Sequence, residues 1–176
     1  MKKYELTAES IVKFGRTLFR IKALVAFGDV EEGELGGFVE KEENLDQSGD
    51  AWVYGNARVY GNARVYGNAR VSGDAQVYGD AWVYGDARVF KMSHYLIVGP
   101  IGSRNDFTTF FRTKHLKIDV KCGCFRGDTD KFFEAVEKTH GNNKHARAYK
   151  AAIALAKLQI DLSKEDSDEE ETGKES

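Results

Sequence analysis

The sequence predicts a mainly β protein: a short parallel β-helix, an N-terminal β-hairpin cap at residues 1–44, and a small C-terminal α+β domain at residues 92–161. Three observations predict it. Ala51 to Phe90 repeats every six residues, as Ala-Trp-Val-Tyr-Gly-Asn, Ala-Arg-Val-Tyr-Gly-Asn twice, and near-copies ending Ala-Arg-Val-Phe. A short period of this kind marks a solenoid whose stacked coils bury what one coil cannot. Before the repeat lie β-branched and aromatic runs about a Gly-Arg pair, and after it the periodicity turns from strand-like to helical.

In the first segment, Ile11-Val12-Lys13-Phe14 and Thr17-Leu18-Phe19-Arg20-Ile21 flank Gly15-Arg16 and read as a hairpin. Gly36-Gly37 has neither the spacing nor the following Lys-Ser/Thr of a phosphate loop, and reads as a turn into the solenoid. Leu45 to Asp50 keeps Gly and Asp in register with the later repeats and reads as an imperfect first rung, so the β-helix is placed at residues 45–91. An atypical rung and a hairpin are what a cap requires, because a bare solenoid end exposes apolar surface and free strand groups.

Within a rung, alternation points Ala and Val inward and the residue between them outward. The outward set is Trp52, Arg58, Arg64, Arg70, Gln76, Trp82 and Arg88, and its tryptophans and arginines are candidate surface-recognition residues. The corner falls on Tyr-Gly-Asn/Asp, residues that tolerate left-handed backbone angles. An 18-residue coil stacks Asn62 on Asp80 and Asn56 on Asp74, sets no carboxylate on another, and gives each tryptophan an arginine neighbour.

Past Phe90, three strand-like runs (94–98, 107–112 and 116–120) precede a helix over about Thr129–Thr139 that buries Phe132, Phe133 and Val136. Gly141-Asn142-Asn143 reads as a stop and an N-cap. A second helix follows over about Lys144–Ile160 with an apolar stripe of Ala148, Ala151, Ala152, Leu155 and Leu158. Residues 162–176 carry seven acids and two lysines, a net of −5 against −2 for the whole chain, so the remainder is mildly basic at +3. So charged a tail is expected to stay disordered.

Charge and composition narrow the classes. No apolar run approaches the ~20 residues of a membrane span, Met1 to Glu9 lacks the apolar core of a secretory signal, and two cysteines cannot frame a disulfide scaffold. A cytoplasmic protein without a cofactor is expected. Ser103, Arg104, Thr108, Thr109 and Arg112 form a polar stretch whose guanidinium and hydroxyl groups suit a phosphate or carboxylate. Cys122 and Cys124 with His115 are a weak metal set, because C-x-C spacing is poor for zinc. Calcium is not indicated by the Gly-Asp corners, and arginines scattered over three faces make nucleic acid a secondary expectation.

The rung pattern resembles that of left-handed hexapeptide-repeat β-helices. Lys3-Tyr4-Glu5-Leu6-Thr7, Phe19 to Leu24, Phe27-Gly28-Asp29-Val30, Leu35 to Leu45 and the Val-Tyr-Gly-Asn-Ala-Arg rungs together resemble the YdcK-type hexapeptide-repeat proteins of bacteria, phages and prophages. Ile101-Gly102-Ser103-Arg104, Cys122-Gly123-Cys124-Phe125 and Thr139-His140-Gly141 resemble a C-terminal module of some phage members. The resemblance implies a left-handed coil and, through the fold, an acyltransferase label. Such enzymes use a rung-borne histidine as base, whereas His94, His115, His140 and His145 all follow the rungs. The expectation is therefore a non-enzymatic binding protein, a dimer or trimer of phage or prophage origin that engages a host protein or nucleotide ligand and inhibits host defence. An acyl-CoA-dependent transferase and a self-assembling structural protein are the alternatives.

Overall fold

A computed structural model describes residues 1–164; the expected acidic tail lies outside them from residue 165 onward. The chain opens with a long antiparallel hairpin, β1 (Tyr4–Lys13) and β2 (Arg16–Ala23), closed by Phe14 and Gly15 at φ +52° and +72°. Two consecutive positive φ values give the turn whose twist matches paired strands. β3 (Leu35–Val39) pairs antiparallel with β2 and parallel with the solenoid, so the first rung begins here, earlier than Leu45.

The repeat contributes seven two-residue strands: β4 (Trp52–Val53), β5 (Arg58–Val59), β6 (Arg64–Val65), β7 (Arg70–Val71), β8 (Gln76–Val77), β9 (Trp82–Val83) and β10 (Arg88–Val89). They form three parallel ladders, β4-β7-β10, β3-β5-β8 and β6-β9. Trp52 pairs with Arg70, Arg70 with Arg88, Arg58 with Gln76 and Arg64 with Trp82, an offset of 18 residues throughout. The entry coil is two residues longer, since Val39 pairs with Val59 and Leu45 with Val65.

Every rung alanine and valine from Ala51 to Val89 is buried. Small and branched residues fill a coil too narrow for anything larger, and identical neighbours repeat the same packing at each level. Glycine turns the corners for two reasons at once. At Gly67 φ is +73°, and a Cβ would lie 2.9 Å from the Gly85 nitrogen one coil away. The tyrosines before these glycines stack: Tyr60 on Tyr78 (5.3 Å, 7°) and Tyr66 on Tyr84 (5.5 Å, 19°). Asn62 Nδ2 donates to Asp80 Oδ1 at 3.0 Å, the amide-on-carboxylate contact that the register predicts.

The C-terminal region holds an antiparallel sheet of β11 (Tyr95–Ile101), β12 (Asp106–Arg112), β13 (Ile118–Cys122) and β14 (Phe125–Asp128), then α1 (Thr129–His140) and α2 (Lys144–Gln159). The sheet has four strands where the sequence indicated three, because β14 is short and follows β13 through a two-residue turn. Tyr95 and Phe111 join the solenoid core, while Phe110, Ile118 and Val120 on the other face meet the helices. The sheet thus closes the solenoid end. Lys114 N donates to Asp86 O at 2.9 Å, and the Tyr95 hydroxyl to Gln76 O at 2.8 Å.

Both helices start at side-chain caps. Asp128 accepts from Lys131 N at 2.8 Å, and Asn143 accepts from His145 N and Ala146 N at 2.9 and 3.0 Å. The phase of α2 differs from the expected stripe. It buries Ala146, Tyr149, Ala152, Ile153 and Ala156, leaving Leu155 and Leu158 exposed, and Phe133 of α1 is likewise exposed. Tyr149, outside the expected stripe, sets the phase: it packs on Phe132 at 5.5 Å.

Two stability predictions follow from burial. Trp52 is fully buried, edge-on to Phe27 (5.3 Å) and Tyr4 (6.0 Å). Trp52→Ala is expected to cost about 3–5 kcal/mol in urea unfolding. Lys3 is buried under the cap, its Nζ donating to Gly49 O and Ala51 O, and burial lowers its pKa to about 8, opposed by Asp46 and Asp50. Between pH 8 and the unfolded value of 10.5 the unfolded chain holds the extra proton, so this lysine makes stability rise with pH. Buried tyrosines such as Tyr4, raised above their ordinary value of 10.0, oppose the gain once the unfolded chain ionises there. A rise in urea midpoint between about pH 8 and 9.5 that vanishes in Lys3→Met is the expected result.

Candidate functional site

Where the β6-β9 ladder meets the C-terminal sheet, the repeat places arginine and tryptophan side by side and the sheet adds two more cations. The Arg64 guanidinium lies over the Trp82 ring at 5.3 Å, and Lys121 Nζ lies 4.8 Å from the same ring. Arg126 of β14 covers the stacked pair Tyr66 and Tyr84 at 5.3 and 5.4 Å. Each contact is worth about 0.5–1 kcal/mol where exposed. Thr109 of β12 locks the seam by accepting from Trp82 N at 3.1 Å, and the Tyr84 hydroxyl donates to Val120 O at 3.3 Å.

These groups border a cleft of about 480 Å³ lined by Glu42, Glu43, Leu45, Asp46, Gln47, Arg64, Val65, Tyr66, Trp82 and Arg126. Among the described residues neither Arg64 nor Arg126 has a carboxylate at ion-pair distance, so their N–H edges remain available beside the rings. The Tyr66 hydroxyl is buried with no hydrogen-bond partner. Burial raises its pKa, against the pull of Arg126. Lys121 is turned inward, donating to Gly123 O, and its pKa is lowered by burial and then by Arg126. A seam of cations on aromatic faces has the chemistry to hold an anion beside a flat apolar group.

The sequence-derived candidates divide. Arg64 and Trp82 stand in the cleft. Trp52 and Arg88, expected on the outside, are 0% and 5% exposed, because the N-terminal cap folds over Trp52, while Arg88 Nη1 turns back to Asn68 O and Ala87 O at 3.2 and 3.0 Å. Arg70 binds Asp29 at 2.8 Å instead of stacking on Trp52, and Arg58 is half-buried between β3 and β8.

The polar stretch of β11 and β12 does not converge on one ligand. Ser103 and Arg104 are exposed in the connecting turn, whereas Thr108, Thr109 and Arg112 are buried. Thr108 Oγ1 donates to Cys122 Sγ at 3.2 Å, and Arg112 Nη2 donates to Ser163 O at 3.2 Å. Arg104 instead reaches the Gly123 turn. Cys122 also faces the Tyr149 hydroxyl at 3.7 Å, and Gly102, φ +75°, abuts that hydroxyl so closely that a Cβ would lie 1.8 Å from it. The three motif segments of the C-terminal module are therefore packed about Tyr149, with His140 5.9 Å from its ring. Cys124 is exposed, and among the described residues no group of three or more His, Cys, Asp or Glu is placed to hold a metal ion.

A YdcK beta-solenoid repeat family model matches at residues 51–65, 63–79 and 75–90. The chain is similar to that family over its solenoid. The match covers the repeat alone and excludes the cap and the C-terminal sheet and helices that frame the cleft. No curated protein matches the chain. Among the described residues no helix is long and apolar enough to cross a membrane.

If the seam is a recognition surface and not a fold determinant, its cations are dispensable for stability. Arg64→Ala is expected to change unfolding free energy by no more than about 1 kcal/mol, and Arg126→Ala, which uncovers two rings, by no more than about 2 kcal/mol. Arg64→Ala should also shift the emission of Trp82, read in a Trp52→Phe background because the chain has two tryptophans.

Proposed function

We propose that the protein is a non-enzymatic binding protein whose solenoid is a rigid platform and whose recognition surface is the cleft between the β6-β9 ladder and the C-terminal sheet. The observation that carries this reading is the pair of uncommitted guanidinium groups, Arg64 and Arg126, set on aromatic faces around an open cleft. A guanidinium held flat on a ring is pre-ordered and still presents its N–H edge, which suits bidentate recognition of phosphate or carboxylate. The solenoid supplies Arg64, Tyr66 and Trp82 to the cleft and holds them rigidly, and the reading rests on that site and not on the fold. A left-handed coil, a homo-oligomer and a phage or prophage protein that blocks a host factor complete this reading. The C-terminal layer, which lies outside the residues matched by the repeat family model, sets the chain apart from a bare solenoid.

Capture from a bacterial lysate tests it, with proteins and small molecules both identified by mass spectrometry. The wild type is expected to retain a ligand that Arg64→Ala/Arg126→Ala loses by about 10-fold or more. Identical retention by the two proteins would sink the reading.

A further inference from the structure

The two walls of the cleft carry opposite charge. On the cap side stand Glu42, Glu43 and Asp46; on the side of the rungs and sheet stand Arg64, Trp82 and Arg126. Glu42 is tied to Lys2 at 2.6 Å, and Asp46 accepts from Ser48 N at 3.1 Å and its hydroxyl at 3.0 Å. Glu43 has no cation at ion-pair distance among the described residues. Between the walls lie Leu45, Val65 and the Tyr66 ring, with the buried hydroxyl that lacks a partner.

A ligand that satisfies both walls must bring an anion to the guanidinium groups and hydrogen-bond donors to the carboxylates, joined by a flat apolar body. Inorganic phosphate answers one wall and is repelled by the other. An aromatic acid supplies the body and the anion but no donors. A nucleotide supplies all three.

Resting on the reading of this cleft as the binding site, we propose that its ligand is a purine nucleotide with a donor edge, a guanine nucleotide. Its phosphate lies on Arg64 and Arg126, its base lies along Tyr66, and N1–H and the 2-amino group donate to Glu43 and Asp46. Adenine places an unprotonated ring nitrogen where guanine has N1–H, setting an acceptor against a carboxylate, so the acidic wall selects between the two purines. The cleft, at about 480 Å³, lies in the size range of small-ligand sites.

Isothermal titration of the full chain with GMP, AMP and inorganic phosphate decides the matter. GMP is expected to bind saturably, with AMP and phosphate each about 10-fold weaker or more. Arg126→Ala should weaken GMP and AMP alike, whereas Glu43→Gln should shrink the preference for GMP over AMP and leave AMP binding intact. GMP binding no tighter than phosphate, or a purine preference untouched by Glu43→Gln, overturns the proposal. If GMP fails while lysate capture still depends on Arg64 and Arg126, the nucleotide assignment falls and the binding reading stands. If both fail, the cleft is not the site.

Discussion

In-register parallel stacking governs this molecule. Every rung residue meets its own equivalent one coil away, as Val53 meets Val71 and Val71 meets Val89. A residue is therefore acceptable only if it tolerates a near-copy of itself at ~4.8 Å. Valine and alanine do so in the core, glycine does so at the corners, and tyrosine does so by ring stacking. Like charges do so only when each finds another partner: Asn62 faces Asp80 and Arg64 faces Trp82, while Arg70 and Arg88, which do pair, turn to Asp29 and to the Asn68 and Ala87 carbonyls.

The same rule explains what happens at the two ends, where no equivalent residue exists. At the start, the hairpin and the 27–30 turn cover Trp52, so an outward position becomes a core position. At the finish, β12 supplies Thr109 and Phe111 in place of a further coil. The cleft lies where both substitutions meet the third ladder, which has two strands of its own and leaves its side chains framed by elements from outside the repeat.

What could be read from sequence was what depends on neighbours in sequence or on a fixed offset. The hairpin, the coil period, the Asn–Asp contact and the N-cap of the second helix are of that kind. Tyr66 was visible as a corner residue, and the 18-residue offset that aligns it with Tyr84 could have shown the stack, though not the Arg126 that covers it. Arg126 and Lys121 lie in no repeat and no motif, and reach the rungs only because the terminal sheet packs there. Glu43 fell in the expected cap and Asp46 in the imperfect first rung, and neither carried a functional signal. The phase of α2 failed for a related reason: an alanine-rich helix offers several plausible stripes, and Tyr149 on Phe132 decides among them through tertiary contact. Thr108, Thr109 and Arg112 form a polar run in sequence, but residues of one strand alternate between faces, and burial sends them to different partners.

The longer entry coil and the sheet-capped exit give the solenoid the character of a calibrated spacer. Glu43 belongs to the cap and Arg126 to the terminal sheet, and the rungs of Arg64 and Trp82 lie between them. The gauge of the cleft is thus a whole number of coils. Inserting one complete coil would part the jaws by a single ladder step of ~4.8 Å and keep their facing, whereas inserting one hexapeptide would turn one jaw to the next face of the prism. Repeat number is a length setting that recombination between near-identical hexapeptides can change, but only in steps of three repeats does the aperture survive as an aperture.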